Sequence, residues 1–121
     1  MENGYEDRFV TFTARCLKVC EALPANRQGS IHIQDQLFRS STSMTANYAE
    51  AQEAESRKDF IHKLKVAMKE LSETRIWLKI AIQGEYIAEK KLKPLVDEAA
   101  ELSRMLSAAV ITARKNEHSS K

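Results

Sequence analysis

Arg39, Ser43, Asn47 and Glu50 follow one another at steps of four, four and three, which on a helix places them along a single face. A cation, a hydroxyl, an amide and a carboxylate are the materials of hydrolysis or group transfer. Chemistry of that kind also needs a nucleophile beside a base, or paired carboxylates around a pocket. Ser43 has no His at helical spacing, and Glu50 is the one carboxylate of the set. The pattern favours a structural role, with the four side chains hydrogen-bonding across helices and fixing their register, because buried polar groups persist only when paired. No catalytic residue is assigned. The chain reads as a non-enzyme with no cofactor and no small-molecule substrate.

The remaining reactive types lead to the same view. Cys16 and Cys20 stand four apart on a helical pattern, a poor geometry for a disulfide, and no further ligands at metal-site spacing accompany them. They read as packing thiols, with a ligand or redox role as the alternative, and no metal site is assigned. His32, His62 and His118 are scattered over a loop, a helix face and the tail, and read as solvated. Arg75 points near the core side of its helix, away from Glu70 and Glu73, so Glu50 is its expected ion-pair partner.

Charge is the stronger signal. Residues 57–93 hold ten Lys/Arg against five Asp/Glu, whereas 47–56 hold three Glu and no base, within a net charge of only +2. Lys63, Lys65, Lys69, Lys79, Lys90, Lys91 and Lys93 form a basic reserve. It is either a solvated face or a surface for phosphates, whose neutralisation releases counterions and makes affinity salt-dependent. The aromatics are too few and too core-like to stack bases. Binding of RNA or DNA through this surface would be backbone-directed and indifferent to sequence.

Helices must position these groups. With 43% hydrophobic residues, 30% charged, three Gly and two Pro, the 121 residues suit one globular, helix-rich domain. Phe9, Phe12, Cys16, Val19 and Leu23 stripe a first helix, Tyr5 to Leu23, before Pro24 and Gly29 punctuate a loop. Ile33, Leu37, Ser41, Met44, Tyr48 and Ala51 stripe a second, Ile33 to Ala54, which is small and polar enough to depend on its neighbours. Phe60, Leu64, Ala67, Leu71, Leu78 and Ile82 stripe a third, which Ser56 caps with Asp59 three residues on. Gly84 ends it in the left-handed conformation glycine tolerates. Leu92, Leu95, Ala99, Leu102, Leu106, Ala109 and Ala113 form the seam of a fourth, Ala88 to Lys115. Pro94 there requires either a start nearer Lys91 or a kink, and the tail 116–121 is expected to fray. Short connections between four amphipathic helices predict an all-α, up-down-up-down antiparallel four-helix bundle spanning 1–121. The acidic N-terminus is unlike a secretion signal and no apolar run is long enough to span a bilayer, so the cytoplasm is expected, without membrane contact.

The third helix carries a second apolar group, Val66, Ile76, Trp77 and Ile80, opposite its core stripe. A monomer's surface helix should be polar there. The group is assigned to self-association; the alternative is a rotated helix whose edges these residues fill.

Gln36-Leu37-Phe38-Arg39-Ser40, then Ser43-Met44, then Asn47-Tyr48-Ala49-Glu50 form a combination followed by Lys58-Asp59-Phe60-Ile61, Lys69-Glu70, Glu73-Thr74 and Trp77-Leu78. This combination resembles the four-helix bundle family named for proteins encoded in intervening sequences of bacterial 23S ribosomal RNA genes. Many members have Gly where Ala51 stands, so the second helix is expected to run further before breaking; Tyr48 stands where aliphatic residues are common. The resemblance implies an up-down bundle and a homopentameric ring with a basic surface. It also implies likeness to an accessory protein of diversity-generating retroelements, which binds nucleic acid and a reverse transcriptase. The family has no established biochemical activity.

Overall fold

The computed structural model describes residues 2–119, with side chains from 4 to 116. Four helices follow in order, α1 Glu2–Ala22, α2 Gln28–Gln52, α3 Arg57–Gln83 and α4 Glu89–Ser119, and no strand occurs among the described residues. Each helix packs on its neighbours in sequence, α1 also touches α4, and among the described residues the diagonal pairs make no close backbone approach. That is the cyclic order of an up-down-up-down bundle. Contact is most extensive between α2 and α3 and least between α1 and α4.

The expected stripes make the core. Phe9, Phe12, Cys16, Leu37, Met44, Leu64, Leu71, Leu102 and Leu106 are almost wholly buried. Cutting any of these leucines back to Ala costs about 2–5 kcal/mol. On α3, however, Thr74 and Ala81 are buried while Phe60 and Ile82 lie at the edge. At 100° per residue, this substitution turns the core-facing side of α3 by roughly 20° toward α2.

Several boundaries differ from the spacing. Gln28 opens α2 directly after Arg27, which has extended backbone and no side-chain cap. Gly29 therefore lies inside the helix. Its bareness serves contact instead, because a Cβ there would collide with the Tyr86 hydroxyl. α2 passes through buried Ala51 and stops at Gln52. Ser56 caps α3 as expected, its Oγ accepting from the Asp59 amide at 3.0 Å.

At the far end of α3 the left-handed residue is Glu85, with φ 59, and not Gly84, whose φ is −81. The Tyr86 amide donates to the Ala81 carbonyl at 2.9 Å and the Glu85 amide to Ile82 at 2.9 Å. This is the Schellman pairing, with Glu85 in the place glycine usually takes. Gly84 is needed one position earlier, where a Cβ would lie 2.9 Å from the Tyr86 ring. Arg27 completes this end. Its guanidinium donates to the carbonyls of Glu85 (2.9 Å) and Gly84 (3.2 Å) and lies over the Tyr86 ring, 3.6 Å from its centroid. The α1–α2 and α3–α4 connections are thus clasped together.

Pro94 sits past the first turn of α4, so the Lys90 carbonyl loses its amide partner. Both residues are exposed, and water can replace that partner. α4 continues as helix through Ser119; Ser120, Lys121 and the side chain of His118 lie outside the described residues.

Candidate nucleic-acid interface

The outer side of α3 points away from both neighbouring helices. Lys65, Lys69 and Lys79 are exposed along it, and Lys90 and Lys91 are exposed in the first turn of α4. Among the described residues none of the five has an ion-pair partner. The other two expected lysines differ. Lys63 Nζ donates to Glu50 Oε1 at 2.5 Å, and Lys93 pairs with Asp97 one turn on, at 3.2 Å. The reserve of seven divides into five cations free to meet phosphate and two already engaged.

The polar face of α2 does cross to α3, but with partners other than expected. Arg39 donates to Glu70 at 3.0 Å and to Glu73, and Glu73 also accepts from Trp77 Nε1 at 3.2 Å. The Arg39 hydrogen bond, assisted by the Trp77 contact, holds the Glu73 carboxyl below the usual range. Glu50 takes Lys63, not Arg75, which is exposed. The rotation of α3 accounts for the exchange: it moves Arg75 out of the core's edge and brings Glu70 and Glu73 to the α2 seam. Ser43 and Asn47 stay within their helix, Asn47 Nδ2 donating to the Ser43 carbonyl at 2.9 Å and hydroxyl at 3.3 Å.

Register is held by hydroxyl pairs as well as by these bridges. Ser40 and Thr74 share a wholly buried hydrogen bond of 2.7 Å between α2 and α3. Thr13 and Thr45 share another of 2.7 Å between α1 and α2. Thr74 lies three after Leu71 and four before Leu78, the spacing of a seam residue, and that was the available signal.

The second apolar group splits. Ile76 is 52% exposed and Ile80 40%, whereas Val66 is half-buried and Trp77 packs against the core edge, its ring edge-on to His32 at 5.3 Å. Ile31 and Phe38 on α2, seven apart on one face, are exposed as well. Because His32 meets Trp77 and Arg39 meets Glu73, these α2 residues stand level with Ile76 and Ile80. Lys65 and Lys69 lie nearer the other end of α3.

Cys16 and Cys20 are buried. Burial pushes the Cys16 thiol up to about 12 and raises that of Cys20. Cys20 Sγ donates to the Gln34 carbonyl, and Gln34 Nε2 returns a bond of 2.7 Å to the Cys20 carbonyl, so this thiol helps join α1 to α2. No helix of the described residues is long and apolar enough to cross a membrane.

The sequence profile of the 23S rRNA-intervening sequence protein family matches residues 7–108. The chain belongs to that family. A solved structure from Bacteroides thetaiotaomicron VPI-5482, described as a protein of unknown function from the S23 ribosomal protein family, is 34% identical. The match covers 88% of this chain and 97% of that one, with a TM-score of 0.81. No curated protein matches. Within the matched span, Leu37, Ser40, Met44 and Tyr48 supply the buried side of α2, and Arg39 and Glu50 its bridges to α3.

Proposed function

We propose that this intervening-sequence family protein is a non-enzymatic, self-associating bundle of the cytoplasm. It binds RNA or DNA non-specifically along the lysine-bearing face of α3 and the start of α4. The supporting observation is the set Lys65, Lys69, Lys79, Lys90 and Lys91, all exposed and without carboxylate partners among the described residues. Unpaired lysines cost no ion pair on binding phosphate. They are point charges without planar donors, which suits backbone contact and carries no base readout.

Self-association, as the homopentamer the resemblance implies, multiplies that charge. Ile76 and Ile80, with Ile31 and Phe38 at the same level, favour a contact between copies in the half of the bundle near the Arg27 clasp. Such a contact leaves Lys65 and Lys69 open. The alternative is an adaptor whose partner is another protein, and it draws on the same apolar residues.

One experiment separates them. Tagged protein is pulled from native cells in nuclease-treated and untreated halves, alongside gel shifts of a generic RNA and DNA at ~50 mM salt, where the phosphate contribution is strong. Nuclease-sensitive capture and a salt-dependent shift support nucleic-acid binding. A co-purified protein that survives nuclease, without any shift, supports the adaptor and removes the first reading.

A further inference from the structure

Toward the end of the bundle where α2 passes into α3, the described residues leave a gap. An open cleft of about 830 Å³ there is lined by all four helices, α4 most of all. Its floor includes Phe9 and Tyr48, whose rings stack at 4.3 Å, together with Leu64 and Leu106. Space is left because Ala51, Ala109 and Ala113 line the walls with methyl groups. Small-molecule sites in bundles lie between helices and measure roughly 300–1,000 Å³ with mainly apolar walls. Among the described residues lining the cleft, Arg57 is the one that carries a charge, and it keeps a contact of its own; Gln52 and Asn116 are neutral.

We propose that this cleft binds a monomeric single-chain amphiphile with a carboxylate head, its hydrocarbon chain against Phe9 and Tyr48 and its head at Arg57. Apolar walls call for a chain, and a guanidinium with donors to spare favours an anionic end over a cationic one. A guanidinium has five donors in a fork that fits a carboxylate, so Arg57 can receive the head while keeping another contact. The site is separate from the lysine face and independent of whether nucleic acid binds there.

Calorimetric titration with laurate below its micelle concentration, against dodecanol and dodecyltrimethylammonium, tests the proposal. Saturable laurate binding at one per chain is expected, at least 10-fold tighter than that of the cationic analogue. Ala109→Leu, which fills the cleft, should weaken laurate at least 10-fold. Arg57→Gln should weaken laurate several-fold and leave dodecanol unchanged. In the parent protein, laurate should shift the methyl resonances of Ala51, Ala109 and Ala113 but not that of Ala99, a readout that does not depend on any variant folding. Absent laurate binding, equal binding by Ala109→Leu, equal affinity for the cationic analogue, or shifts centred elsewhere overturn the proposal. So does a changed sedimentation coefficient in Ala109→Leu, which would make the cleft a contact between copies.

Discussion

Lysines already held by carboxylates contribute differently to phosphate binding from free ones, and that difference can be measured. Five lysines of the basic reserve form no ion pair among the described residues, and Lys63 is bound to Glu50. If each free lysine neutralises one phosphate, the slope of log K against log salt is about −4.5 per subunit on duplex DNA and about −3.5 on a single strand. Between 50 and 200 mM salt that is a loss of about 500-fold and 100-fold respectively. The triple variant Lys65→Gln/Lys69→Gln/Lys79→Gln should reduce the slope by about 2.7 on duplex and 2.1 on single strand, the share of three contacts. Lys63→Gln should change it by less than half of what Lys69→Gln does, because Lys63 must first leave Glu50. Fluorescence anisotropy with a labelled 20-mer over a salt series gives the slopes, and sedimentation confirms an unchanged assembly. A triple variant with the parent's slope, or a Lys63 effect equal to that of Lys69, refutes the reasoning.

Other consequences concern the scaffold. Thr74→Val leaves the Ser40 hydroxyl buried without its partner and should cost about 1–3 kcal/mol in urea unfolding. Adding Ser40→Ala should return part of that loss, and strictly additive costs would show that the pair is not coupled. Glu85→Gly relieves a left-handed non-glycine residue and should stabilise by about 0.5–1 kcal/mol; a lowered melting temperature counts against the cap assignment. Glu73 has a depressed folded-state pKa, so its contribution is present above the unfolded carboxylate range, near pH 4.3, and is lost as pH falls through the folded value. Glu73→Gln should accordingly lower the melting temperature at pH 7 more than at pH 3, and an equal drop at both contradicts the Arg39 pairing.

Much of this architecture was legible because apolar residues three and four apart have few ways to be buried. Phe9 through Leu23 and Leu92 through Leu106 were read directly, as was the Ser56 cap, where one side chain answers one backbone amide. Elsewhere a residue's type pointed to the wrong cause. Gly29 and Gly84 were read as breakers of backbone regularity, yet both make room for Tyr86, a contact between segments distant in sequence. Arg75 was assigned inward because Phe60 and Ile82 were counted as core. Burying Thr74 and Ala81 instead is a small rotation, but it changes which charges face α2. Within the basic site, the seven lysines could be named from composition, whereas their division into five free and two paired required the positions of Glu50 and Asp97 on neighbouring turns and helices. The apolar cleft left no signature, since alanines lining a gap and alanines packing a seam look alike in sequence.

The clasp of Arg27 over Tyr86 joins two connections distant in sequence through a cation, a ring and two carbonyls. Neither connection opens without the other, so amide protons at the start of α2 and the end of α3 exchange with solvent in one cooperative step. A change made in either connection is therefore felt in both, and the pair behaves as a single latch.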